Sequence, residues 1–292
     1  MFTYIIPNSA LLTQSDIIIS ELMKLSNVFS KRNRVLLREL VITDFKLRYQ
    51  GSVLGYAWSL LKPLFLFAIL YLVFEKFLRL GKGVEHYPIY LLLGVVLWNF
   101  FTETTNNGLQ AIISRGDLIR KINFPKYIIV VSGTISALIN LGFSLVVVFI
   151  FLFFNGVTLT WEAFIAIPIL LELYVFALAL AFFLATLNVK YRDTGYLWEI
   201  LLQAAFYATP IVYPLSLVIE QSAIAAKLIM LNPVAQIIQD MRYVLVTHDS
   251  ITIYKLIDNA LLIAVPFVIV FIAIIAGAYF FKKNSRKFAE NI

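Results

Sequence analysis

RELVITDFKLRYQGSVLGYAWSLLKPLF, residues 38–65, carries a charged segment straight into an apolar one through Gly51, Gly55, Trp58 and Pro63. Glycine at 51 and 55 permits a tight bend between a helix lying on a membrane surface and a steep span. Trp58 stands where an interfacial anchor belongs, and Lys62 can snorkel back to the aqueous face. Upstream of the bend, Leu36, Leu40 and Leu47 fall on one side of a helix and Glu39, Thr43 and Lys46 on another, with Arg34, Arg38 and Arg48 interspersed. That pattern predicts an interfacial helix with its apolar side among headgroups and its arginines toward lipid phosphate. Further back, Ile18, Leu22, Leu25 and Phe29 recur at helical spacing and predict another surface helix.

Outward from the junction the chain is a series of apolar runs. Of 292 residues, 61% are hydrophobic and 14% charged, against roughly 25% charged in soluble domains. A span needs about 20 apolar residues. The stretches 127–161, 200–219 and 259–281 contain no Asp, Glu, Lys or Arg. We read an all-α, polytopic membrane protein with six spans over about 56–79, 88–112, 128–154, 162–187, 196–219 and 257–281. With both termini cytoplasmic, 18 of the 24 basic residues fall in inside segments, which fixes the orientation and explains the net charge of +7 without nucleic acid. The organisation expected is a cytoplasmic region 1–55 with the interfacial helix, a membrane domain 56–281, and a basic cytoplasmic tail 282–292.

The outside connections are unequal. Asn155-Gly156 marks a tight turn, whereas 220–255 is long and semi-apolar, AIAAKLIMLNPVAQIIQDMRYVL in its centre, with Asn232-Pro233 as a break. It predicts one or two short helices that form a re-entrant segment in the outer leaflet before the last span, in preference to a hairpin lying on the membrane; a re-entrant backbone needs protein or water to satisfy it. There is no cysteine, so disulfides and Cys-ligated metals are excluded. The N-terminus lacks a basic n-region and a clean apolar h-region, so no cleaved signal peptide is expected. No G-x-x-x-x-G-K-[ST], H-E-x-x-H or G-x-S-x-G pattern occurs. The chain is expected to bind no cofactor and no metal and to have no catalytic residue.

Thr43-Asp44-Phe45-Lys46-Leu47-Arg48-Tyr49, Gly51-Ser52-x-Leu54-Gly55-x-x-Trp58 and Pro63 together resemble the membrane subunit of bacterial ABC exporters of the type-2 class that carry polysaccharides, O-antigen, capsule and teichoic acid among them. The string Thr209-Pro-Ile-x-Tyr-Pro214 is similar to that family's Ser/Ala-Pro-Ile-x-Tyr signature. The resemblance implies a permease, not an enzyme, that homodimerises in the bacterial cytoplasmic membrane. It implies a separate ABC-type ATPase in two copies, which binds the ATP and Mg, and a polyprenyl-pyrophosphate-linked polysaccharide as cargo. It assigns a gate role near the lipid-linked end of the substrate to Arg38, Asp44, Lys46, Arg48 and Tyr49.

The inside loop 114–127 resembles a coupling helix that plugs into the ATPase. Gly116, Asp117, Leu118, Ile119, Arg120, Lys121, Phe124 and Pro125 carry that expectation. Leu118, Ile119, Ile122 and Phe124 make an apolar knob ringed by Arg115, Arg120, Lys121 and Lys126, the form in which interfaces concentrate energy, and Pro125 ends the helix. Arg192-Asp193 resembles the family's Arg-Asp turn; Asp193 either braces the start of the fifth span, where a negative charge suits the helix dipole, or touches the ATPase. Pro63, Pro210 and Pro214 are expected kinks. By resemblance the first and fifth spans line the conduit, with Tyr56, Phe67, Tyr71, Gln203, Tyr207 and Tyr213 as candidates. Among the acids in or beside spans, Glu103, Glu172 and Glu199, Glu103 fits best as a helix–helix hydrogen-bonding group. Three rivals stand beside this reading. They are a drug or lipid exporter, a transferase on lipid-linked sugars using His86, Glu85 or His248-Asp249, and an ion-coupled carrier using Glu103 and Glu172, against which the missing inverted repeat counts.

Overall fold

The computed structural model describes residues 30–52, 54–81 and 83–291. The helix expected around Ile18–Phe29 lies outside the described residues, as do the side chains of Arg48, Tyr49 and Tyr56. Every regular element among the described residues is helical.

Helix α1, Lys31–Tyr49, starts at Ser30, whose hydroxyl accepts the Asn33 amide at 3.3 Å. It stops at the bend: Gly51 (φ 77°) and Gly55 (φ 50°) adopt the left-handed backbone that favours glycine. Helix α2, Trp58–Leu70, follows and widens into a π-helical stretch, Tyr71–Phe77. Pro63 lies inside it as the sixth helical residue, where it forgoes the bond to the residue-59 carbonyl, and the helix continues through it to Leu70.

Helix α3, Tyr87–Ser114, is the axis of the molecule. Its first half is apolar all round and buried all round, with Ile89, Leu91, Leu93 and Leu97 fully covered. Against it pack α5, Tyr127–Phe154, and α6, Ala166–Lys190, the latter entered through the 3-10 turn Trp161–Ile165. Between α3 and α5 lies the short α4, Gly116–Lys121. Helix α7, Thr194–Ala208, ends at the two prolines and leaves 209–214 without regular structure. Three short helices follow: α8, Leu215–Gln221, α9, Ala223–Met230, and α10, Pro233–Leu245. Asn232 caps the last of these with its side chain and Pro233 starts it, so the expected Asn-Pro break is a helix start. After α11, Ile253–Leu256, comes α12, Ala260–Asn284, which packs along α6.

Among the described residues, three helices are long and apolar enough to cross a membrane: Tyr127–Phe154, Trp161–Lys190 and Ala260–Glu290. The other three stretches expected to span depart from a uniform apolar rod for visible reasons. Helix α2 changes to π-helix, α3 carries a polar second half, and α7 stops after 15 residues at its prolines. Lipid-facing character is plainest in α12, where only Pro266, Val270, Gly277 and Phe281 are buried.

A second core sits where α1 lies on α5. Leu40 meets Ile112, Ile119, Phe124 and Ile128 there, together with Phe281 and Phe288. The basic tail is therefore not free. Past α12 the turn Ser285–Lys287 and α13, Phe288–Asn291, return the chain to this core, and Phe288 is 1% exposed. Leu47, expected to share a side with Leu36 and Leu40, is exposed instead, since the end of α1 has run past the core.

Candidate functional site: a polar groove, an ion-paired loop and a clamped break

The second half of α3 reads Thr102-Glu-Thr-Thr-Asn-Asn-Gly-Leu-Gln110, and two cavities flank it. One, of about 730 Å3, lies between α3 and α7 and is lined by Trp98, Thr102, Asn106 and Gln110 on one side and Arg192, Tyr196, Glu199, Gln203 and Tyr207 on the other. The second, of about 610 Å3, sets Trp58, Lys62 and Pro63 of α2 against Asn99, Glu103, Asn106 and Asn107 of α3 and Asn140 and Ser144 of α5. They share Thr102 and Asn106, so they are two sides of one polar ridge, edged by α2 and α7. Asn140 Nδ2 donates to Glu103 at 2.7 Å, the interhelical bond expected of that acid. Side-chain amides and hydroxyls beside aromatic faces suit a polyhydroxylated ligand, and Lys62 and Arg192 add one cation on each side.

Of the expected conduit residues, Gln203 and Tyr207 line this groove. Tyr213 stands past the end of α7 and donates its hydroxyl to the Tyr207 carbonyl at 2.9 Å. Phe67 and Tyr71 are placed elsewhere: Phe67 is buried with its ring 5.8 Å from those of Tyr71 and Phe151.

The gate and coupling candidates meet through a contact that sequence reading did not anticipate. Arg115, the residue before α4, ion-pairs with Asp44 of α1. Burial pulls the Arg115 guanidinium below its ordinary value. Arg38 and Lys46 are exposed on α1. The apolar knob is smaller than expected. Ile119 and Phe124, at 6% and 7% exposure, are turned into the second core, while Ile122 is 46% exposed and Leu118 half-buried. Gly116 is buried and Asp117, Arg120 and Lys121 are exposed around them. Pro125 follows α4 directly ahead of α5. Asp193 takes the N-cap position of α7 but makes no side-chain cap bond, because its backbone is already helical (φ −73°, ψ −9°).

The break at 209–214 is held by Arg242. Pro214 has no N–H for the carbonyl four residues back, so Pro210 and its neighbours lose their helical partners. Arg242 of α10, fully buried, donates through Nη1 to the Pro210 carbonyl at 2.5 Å and through Nη2 to that of Ile211 at 2.6 Å. Its Nε reaches the Tyr90 carbonyl at 3.0 Å, and its guanidinium lies 3.5 Å over the Tyr90 ring. Tyr87 donates to the Val212 carbonyl at 2.5 Å. Gly94 makes room, since a Cβ there would strike the guanidinium. Sequence reading had Arg242 as one more outside cation. The available signal was the pair of prolines, which orphan carbonyls that some donor must meet.

Glu172 of α6 lies beside Gln236 and Asp240 of α10, and Gln236 Nε2 donates to Asp240 at 2.6 Å. His86 and His248 line one cavity of about 370 Å3, each near a carboxylate: Glu85 at 3.6 Å and Glu162 at 3.5 Å. Neither pair includes a hydroxyl nucleophile, and among the described residues no group of three or more His, Asp or Glu is placed to hold a metal ion.

Residues 35–246, from α1 past the end of α10, match the model of the ABC-2 type transporter family. The O-antigen export system permease protein RfbA of Myxococcus xanthus is 30% identical over 259 residues, 89% of this chain and 96% of that protein. A protein of the same name from Klebsiella pneumoniae is 28% identical over 86% of this chain and 93% of its own length. The match takes in the bend, the short α4 helix, the polar groove and the clamped break together, and this multi-pass membrane protein belongs to the ABC-2 type transporter family.

Proposed function

We propose that this chain is the permease subunit of an ATP-driven exporter that moves a lipid-linked O-antigen-type polysaccharide across the cytoplasmic membrane. The observation that carries the reading is the groove over α3, in which amides, hydroxyls and aromatic faces are interleaved between α2 and α7. Sugar rings place hydroxyls against amides and C–H faces against aromatic rings, so such a surface passes a glycan without holding it. An aliphatic lining would suit a drug or lipid cargo, and the groove has few aliphatic side chains. The two permeases named for O-antigen export support the cargo.

In this reading the chain is a transport subunit and ATP hydrolysis belongs to a separate ABC ATPase. Helices α2, α3, α5, α6, α7 and α12 make six spans with both termini cytoplasmic, and α8 to α10 form a segment re-entrant from the outside. The α3 groove cannot face lipid without a large cost for its amides and charges. A second copy covers it, and the two grooves together make the conduit. Arg38, Asp44, Lys46, Arg48 and Tyr49 serve the gate. Arg120, Lys121, Leu118, Ile122 and the Arg192-Asp193 turn face the ATPases, one per permease.

Purification from the native membrane in mild detergent tests this, with glycan followed in cells depleted of the chain. An ABC ATPase at equal stoichiometry and lipid-linked polysaccharide accumulating inside are the expected results. A chain that comes out alone, or depletion that leaves surface polysaccharide unchanged, would remove the proposal.

A further inference from the structure

At the end of the molecule where α6 and α12 run out, a separate cavity of about 560 Å3 is lined by Lys190, Arg192 and Lys287, with Thr186, Asn284 and two phenylalanines, Phe280 and Phe288. No acidic residue lines it. The neighbouring acids in sequence, Asp193 and Glu290, make no ion pair with these cations among the described residues. Lys190 has its ammonium 4.8 Å over the Tyr191 ring, a contact that leaves its charge uncompensated. The Asn284 amide is spent on the Phe280 carbonyl at 2.8 Å, which fixes its carbonyl oxygen and side chain at the rim.

The surroundings specify what kind of anion belongs there. Phe280 pairs with Phe183 of α6, ring centroids 5.3 Å apart, and Phe183 is exposed. Earlier on α12, Ile269, Ile272 and Ala276 are exposed apolar residues within about three turns of Phe280. The cationic cavity is therefore the polar end of an apolar, lipid-facing strip. A soluble anion needs only the cations; a phospholipid uses both parts, its phosphate among Lys190, Arg192 and Lys287 and its acyl chains along Phe183 and the isoleucines. We propose that this cavity is a binding site for an anionic phospholipid, one per chain, which shares Arg192 alone with the lining of the α3 groove. The site lies beside the start of α7, so an occupied cavity braces the turn that joins α6 to the groove wall.

The test is lipid retention by the intact permease–ATPase complex reconstituted in vesicles of phosphatidylethanolamine with a minor fraction of phosphatidylglycerol, then released and read by native mass spectrometry. The variant is Lys190→Gln with Lys287→Gln, leaving Arg192 untouched. The control is Lys282→Gln with Lys283→Gln, which removes the same charge from the neighbouring last turn of α12, outside the cavity lining. Each surface cation contributes about 1 kcal/mol toward anionic lipid, so the cavity variant should hold phosphatidylglycerol about 30-fold more weakly. The control should retain it as wild type does. Equal retention by the cavity variant overturns the site, and equal loss in the control reduces it to general attraction at a basic surface. Displacement of the lipid by millimolar glycerol phosphate would make it a site for soluble phosphate instead. Loss of the ATPase from the cavity variant with lipid retained would assign the cations to the subunit interface, and would also overturn it.

Discussion

Arg242 shows how one buried side chain can hold an irregular backbone inside a membrane protein. A fully buried guanidinium with no carboxylate on it is costly unless its donors are used, and here they meet the Pro210, Ile211 and Tyr90 carbonyls. The prolines and the arginine solve each other's problem: Pro214 frees carbonyls that need donors, and those carbonyls neutralise the cost of the charge. Stacking on Tyr90 at 3.5 Å adds about 2 kcal/mol when desolvated. Arg242→Met keeps most of the volume and removes every donor. It should destabilise the chain by about 3–5 kcal/mol, because several buried carbonyls lose their partners at once. Arg242→Lys keeps the charge but not the fork, and should fall between the two. Thermal unfolding in detergent measures this, and an Arg242→Met protein that melts with wild type would show that water can satisfy the break.

The proposed coupling element is defined by what its helix hides as much as by what it shows. Helix α4 is six residues long and cannot be stable alone. It is held by Ile119 and by Phe124 just beyond it, both in the core made with Leu40, Phe281 and Phe288, and by the Arg115–Asp44 ion pair that ties it to α1. That leaves Ile122 as the exposed apolar residue among Arg120 and Lys121. Ile122→Glu should weaken ATPase docking by about 2 kcal/mol, roughly 30-fold, while the permease still folds; co-purification at graded ATPase concentration reads it, and an unchanged complex would move the interface elsewhere. A charge at Phe124 would damage the core first and test nothing about docking. The contrast marks how far the sequence could be read. Helices α5 and α6 fell close to their expected limits because Asn155-Gly156 and flanking lysines bound uniform apolar runs, and the bend at Gly51 and Gly55 followed from glycine alone. Phe124 could not be placed from its own loop, since the core it joins draws on Leu40 and on Phe281 and Phe288 at the far end of the chain. Arg242 was hidden for the same reason, with its carbonyl partners 31 to 152 residues away. Local pattern gives elements; which side chains meet depends on distant segments that carry no local mark.

At the scale of the whole molecule, the single chain leaves two things uncovered that belong together. The groove on α3 exposes Asn106 and Gln110, and α7 buries only Leu202 against its own chain. Helix α2 likewise presents Phe65, Ile69 and Leu72 outward. Lipid can cover the apolar residues but not the amides between them. In the proposed dimer, a second copy that sets α2 of one chain against α7 of the other would cover both and would convert two open grooves into one enclosed path. The absence of cysteine makes the arrangement directly readable, because every thiol present is an introduced one. Phe65→Cys with Ile200→Cys, oxidised in native membranes, should give a band of twice the monomer mass. Ile167→Cys, exposed on α6 away from the groove, should stay monomeric. If α2 and α7 face lipid instead, the double variant will run as a monomer, and the amides of α3 will then need water from a cavity within one chain. Nucleotide bound by the ATPases should change the yield of the cross-link if their motion opens the path, because the α1–α4 ion pair joins the docking loop to the helix that leads into α2.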